Sequence, residues 1–194
     1  MEKMYSAVKG AAISVFGGCL LAMNPLGFCE EMAQIQEVSL EKTLPGVDVI
    51  HGKCSMKFPS TAERVSEKMQ VEGAGFALQY DAYIASSEAN SVFMLLVAEY
   101  PDFVDEQFAR MSLEAFLNGI LTHNPANQLL FADLVLVQGY EGLDFFIRSG
   151  AVYFKGRAVM VRNQLYLMAM ECEVQNYDES HYNNFVNSFV LTHS

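Results

Sequence analysis

The run Leu165–Met170 is apolar on both of its alternating sides: Leu165, Leu167 and Ala169 point one way, Tyr166, Met168 and Met170 the other. Successive side chains of a strand face opposite sides of a sheet. A strand that is apolar on both sides needs cover on both sides. The run is therefore expected to be an inner strand, held between two layers. It closes a longer stretch, Gly142–Cys172, that reads as two or three successive antiparallel strands, with Arg162-Asn163-Gln164 as a tight turn. Val92–Tyr100 (VFMLLVAEY) has the same two-sided character and is stopped by Pro101.

The rest of the chain is read around these strands. Val47–Phe58 alternates loosely, ends at Pro59 and is read as one strand. Ser60 and Glu63 have capping-box spacing, so Ala62–Met69 is open to helix or strand. Gly73 and Gly75 mark a turn, and Phe76–Ala85 alternates with period two. Asp102–Leu121 changes period: Phe108, Met111, Ala115, Phe116 and Ile120 form a helical stripe, with Asp102, Asp105 and Glu106 near the positive helix start. Asn118-Gly119 weakens its end and Asn124-Pro125 terminates it. Gln128–Gln138 returns to strand, and Gly139-Tyr140-Glu141-Gly142 is read as a turn. A last helix carries the stripe Tyr182, Phe185, Val186, Phe189, with Asp178 as N-cap and Tyr177 and Tyr182 at staple positions. The order of strands, helix, strands and helix predicts an α+β domain.

The first 29 residues read as a secretory signal peptide: Lys3 and Lys9, then the apolar run Ala11–Ala22, then the breakers Asn24-Pro25. Cleavage is placed after Cys29. The alternative is a lipoprotein, because Phe16-Gly17-Gly18-Cys19 is similar to a lipobox whose Cys19 would carry lipid. Residues 30–46 read as a flexible leader and 47–194 as a single domain. The expected location is therefore periplasmic or secreted, with membrane contact only through the signal peptide or a lipid at Cys19. Removing the leader leaves two cysteines, Cys54 and Cys172. In an exported chain these are either a disulfide or two buried thiols.

The formal net charge of -11 repels phosphate backbones, so nucleic acid is not an expected partner. Hydrophobic residues at 52% and charged residues at 18% exclude a disordered chain. The chain has no Gly-rich phosphate loop, GxSxG, HExxH, CxxC or EF-hand pattern, and neither enzymatic activity nor a cofactor is expected. Four weaker constellations remain. Arg148, Lys155, Arg157 and Arg162 concentrate cations that can rim an anionic ligand; the ordinary reading is edge protection and pairing with acids. Glu171 and Glu173 share a strand face and, with His181, can offer a hard cation oxygen and imidazole ligands; the ordinary reading is a solvated strand end. His51 and Cys54 lie three apart, which on one strand puts them on opposite faces. His123 has no identifiable partner and His193 sits in the terminal tail.

Several short motifs occur in a telling order: Lys57-Phe58-Pro59, Gly139-Tyr140-Glu141-Gly142, Lys155-Gly156-Arg157, Asn163-Gln164-Leu165-Tyr166 and Phe185-Val186-Asn187-Ser188-Phe189. In this order the chain resembles the PsbP/Mog1-like fold of secreted bacterial proteins, from about Val47 to Leu191. The resemblance implies an antiparallel sheet flanked by helices, an α/β/α sandwich. Members of that fold include a photosystem accessory subunit, a binder of a nuclear GTPase, periplasmic lipoproteins and chaperones of secreted effectors. They share no catalytic set, so the resemblance transfers no site residues. It implies an exported, non-enzymatic accessory module whose partner is another protein. The alternative is a small apolar-ligand binder with a pocket between sheet and helix, using Met94, Met160, Met168 and Met170.

Overall fold

A computed structural model describes residues 41–42, 47–50, 53–71, 76–104 and 106–192. The signal peptide, Cys19, most of the leader, His51, Gly73, Gly75, Asp105 and His193 lie outside the described residues. In chain order the strands are β1 (Glu41–Lys42), β2 (Val47–Ile50), β3 (Cys54–Lys57), β4 (Glu63–Val71), β5 (Phe76–Ser86) and β6 (Val92–Glu99). A 3-10 turn (Glu106–Phe108) leads into helix α1 (Ala109–His123). Strands β7 (Asn127–Val137), β8 (Tyr140–Ser149), β9 (Val152–Val161) and β10 (Gln164–Glu173) follow, then helix α2 (Glu179–Asn187) and β11 (Val190–Leu191).

Eight strands form one antiparallel sheet in the order β1-β4-β5-β6-β10-β9-β8-β7, and a small second sheet runs β11-β3-β2. The two-sided run falls on β10, at the middle of the large sheet between β6 and β9. Leu165, Leu167 and Ala169 enter a core with Leu113, Phe116 and Ile120 of α1. Tyr166, Met168 and Met170 enter a second core with Phe185 and Val186 of α2 and Met56 of β3. Burying one such side chain stabilises by about 1.5–3 kcal/mol, so β10 contributes to both layers. The architecture is the α+β sandwich expected from the sequence. Its second face is covered jointly by α2 and the small sheet, rather than by helix alone.

Close packing leaves its mark on β9. A Cβ at Gly156 would lie 2.5 Å from the Phe145 ring. The missing side chain makes room for that ring, which also meets Phe116 edge-on at 6.3 Å.

Several sequence expectations need correction. Val47–Phe58 is not one strand: β2 and β3 pair with each other, Ile50 opposite Cys54, and Gly52 lies between them in sequence. Of the alternatives for Ala62–Met69, strand is realised, because β4 pairs with β5 along its whole length. β1 falls inside the stretch read as a leader and pairs with β4. The tight turn is Gln138-Gly139, both at positive φ, and Tyr140, Glu141 and Gly142 already belong to β8. In α1 the buried face is Ala109, Leu113, Phe116, Leu117 and Ile120, whereas Phe108 and Met111 are exposed. No acid stands in the first turn of α1, since Asp102 precedes the 3-10 turn and Glu106 opens it. Gly119 is buried and does not end the helix, which runs on to Asn124-Pro125 as expected.

Candidate interaction site

The four cations do not form one rim. Arg148, Lys155 and Arg157 lie on the α2 face of β8 and β9, but each is engaged. Arg157 grips Asp144 with two hydrogen bonds, Nε at 2.6 Å and an Nη at 2.8 Å. Lys155 Nζ donates to both oxygens of Glu179 at 2.7 Å and to the Tyr177 hydroxyl at 3.1 Å. It also lies 4.6 Å from the Tyr182 ring centre and 5.3 Å from that of Phe146. The Tyr177 hydroxyl in turn donates to Glu179. The hydrogen bond from Lys155 leads the interactions that hold the Glu179 carboxyl below its ordinary range. Lys155 thus fastens the start of α2 to the sheet, with cation–π contacts adding to the ion pair. Arg148 donates to the Gly150 carbonyl at 3.0 Å. Arg162 sits apart, at positive φ in the β9–β10 turn.

The metal candidates are separated by the sheet. Glu171 and Glu173 share a face of β10, as expected, but it is the α1 face, and His181 belongs to α2 on the other. Among the described residues no group of three His, Cys, Asp or Glu side chains is placed to hold a metal ion. Glu173 instead accepts from Gln175 at 2.8 Å. Burial raises the Glu171 carboxyl above its ordinary range. Cys54 and Cys172 are buried free thiols on strands of different sheets. Burial pushes the Cys54 thiol up to about 12, which makes it a poor nucleophile. Met94 and Met160 pack in the α1 core, and Met168 and Met170 in the α2 core. An intact sheet between them means that the four cannot line one pocket.

The feature that sequence reasoning missed is β7. It was expected as a strand, but not as the sheet's edge. Its side chains are exposed along nearly its whole length. Leu129, Leu130, Phe131, Leu134 and Leu136 range from 39% exposed at Leu134 to 77% at Leu136. Among the described residues β7 pairs only with β8, with a bulge between Leu129 and Phe131. An edge strand presents unpaired N–H and C=O groups, and proteins usually guard it with charge, proline or brevity. β7 has 11 residues, no proline and one charge, Asp133. Near the other edge, β4 carries Glu63, Arg64, Glu67 and Lys68 and is partly covered by β1. The only sequence signal for this contrast is the near-absence of charge in β7, which also suits an inner strand.

Beside β7 runs an open groove of about 390 Å³, lined by Arg110, Glu114, Leu117 and Asn118 of α1 and by Ala132, Asp133, Leu134 and Leu143 of the sheet. Arg110 and Glu114 pair with each other along its α1 wall at 3.0 Å. Exposed Met111 stands on the same helix. A backbone edge unguarded among the described residues, apolar side chains on both faces and an adjoining groove can together receive an extended polypeptide strand.

No family model matches the chain. No curated protein matches it either. Among solved structures it is similar to the solution structure of cyanobacterial PsbP (CyanoP) from Synechocystis sp. PCC 6803, with a TM-score of 0.49 and 14% identity over 87% of this chain and 99% of that one. The likeness is one of backbone shape alone.

Proposed function

We propose that this chain is an exported, non-enzymatic accessory module that engages another protein through the open edge of its large sheet. The observation that carries this reading is the long, apolar, unguarded strand β7. Contiguous exposed apolar surface on a folded protein marks a binding surface. The cations and carboxylates singled out in the sequence are engaged in pairs or separated by the sheet, which leaves β7 as the best-supported site. Export rests on the charged start, short apolar run and breakers of residues 1–29.

Site-specific photo-crosslinking in the native envelope tests this. A photoreactive side chain in place of Leu136 is expected to give a discrete heavier adduct. The same group in place of Asn184, exposed on α2, is expected to give none. Equal yields at both positions, or none at either, would overturn the reading.

A further inference from the structure

We infer that the occupant of β7 is an extended segment of a different polypeptide, alternating in apolar character and carrying basic residues toward the C-terminal half of β7. This rests on the docking reading above and adds the chemistry of the partner. The apolar part follows from the strand. Leu134 pairs with Leu143 of the α1 core, whereas Phe131 pairs with Phe146, beneath the Lys155 cluster. Apolar side chains thus flank the edge on both faces. A strand laid beside β7 would find apolar neighbours above and below, and the groove against Arg110, Glu114 and Asn118 would receive side chains on the α1 side.

The basic part follows from charge. Asp133 is the one charged residue of β7 and is exposed. Its cross-strand neighbour Asp144 is already held by Arg157, so Asp133 stands beside a spent ion pair. Glu141, exposed opposite Leu136, is the second carboxylate at this end. Among the described residues neither Asp133 nor Glu141 makes an ion pair. The hairpin's cation, Arg148, lies at the far end opposite Gln128. Lysine or arginine in an added strand would answer Asp133, its direct neighbour on β7, with Glu141 one strand further in, and complementary charge sets partner choice and register.

The same charges disfavour a second copy. β7 runs from Asn127 to Val137, so full-length antiparallel self-pairing centres on Ala132 and sets Asp133 opposite Phe131. The two Asp133 side chains would then be diagonal neighbours on one face, about 7–8 Å apart. That repulsion adds to a net charge of -11 on each copy.

The test titrates the full chain with a blocked peptide of about ten residues that alternates valine and threonine and carries two lysines. A twin peptide has glutamates in place of the lysines. Binding is read by anisotropy, protection of β7 amides by hydrogen exchange, and self-association by sedimentation. At low salt the lysine peptide is expected to bind at least about tenfold more tightly, to protect β7, and to lose its advantage as salt rises. Asp133→Asn is expected to narrow the gap between the peptides. Leu136→Lys, at a position exposed enough to leave the fold intact, is expected to abolish binding of both. Equal binding of the two peptides would overturn the basic partner while leaving edge docking standing. A dimer already present at low salt that Leu136→Lys disrupts would overturn the different polypeptide in favour of a second copy. A monomer whose β7 amides no peptide protects would overturn both readings.

Discussion

At the scale of single residues, the two carboxylates with the clearest surroundings work in opposite directions. Glu179 is held below its ordinary range, chiefly by the hydrogen bond from Lys155. Its contribution to stability is present above the unfolded carboxyl's range and is lost as pH falls through the folded value. Glu171 lies between Val92 and Phe154 and is raised by burial alone, with no ion pair among the described residues. Here the sign reverses. Stability is full while the group is protonated, below the unfolded range, and is lost as pH rises through the folded value. Glu171→Gln is therefore expected to raise Tm at pH 7 and to leave it unchanged near pH 4, where both side chains are neutral. Thermal melts at the two values check this, and an equal shift at both would show that charge burial is not the cause. Spacing in the sequence brought Glu171 forward as a metal ligand. Only the layer packed over β10 makes it a desolvated carboxyl instead, and period-two spacing says nothing about which layer that is.

At the scale of elements, legibility followed how local each signal was. The two-sided pattern of β10 and the stripe and Asp178 cap of α2 are local, and the structure realises both; Asp178 accepts from the Ser180 N–H at 2.8 Å. β4 was ambiguous because its partner β5 decides it, not its own capping-box spacing. The least local device is Gln138, in the β7–β8 turn. Its Nε2 donates to the Phe189 carbonyl at 3.0 Å and its Oε1 accepts from the Leu191 N–H at 3.0 Å. One amide thus ties the hairpin to the link between α2 and β11, across more than fifty residues of sequence. No window of sequence contains both partners. Gln138→Asn separates reach from backbone comfort. Asn suits the observed positive φ of 51° at least as well as Gln, but its side chain is one methylene shorter. It is expected to cost about 1–3 kcal/mol, as for a part-buried donor and acceptor left unpaired, and to speed hydrogen exchange at Leu191. Unchanged denaturant stability and exchange would show that the clamp is dispensable.

At the scale of the whole molecule, the large sheet is asymmetric in a way that no single strand reveals. Its two faces are closed by separate cores, while one end is charged near β4 and the other is apolar at β7. Edge status is a property of topology, so the run Gln128–Gln138 reads the same whether it lies inside the sheet or outside it. An apolar edge on a chain of net charge -11 sets attraction at short range against repulsion at long range. Salt separates the two. Raising ionic strength from about 0.01 M to 1 M shortens the Debye length from about 30 Å to 3 Å, removing repulsion between copies while leaving burial of Leu134 and Leu136 intact. The wild-type chain is therefore expected to sediment as a monomer at low salt and to begin associating near 1 M. Leu136→Lys is expected to remain monomeric throughout, with stability changed by no more than about 0.5 kcal/mol, as for an exposed position. Association at low salt that dissolves at high salt would mean that ion pairs, not the apolar edge, draw copies together. Association that Leu136→Lys leaves untouched would place the contact away from β7. On the expected outcome, acidity has a specific role in this fold: it keeps an unguarded edge open at physiological salt, free for a strand of opposite charge.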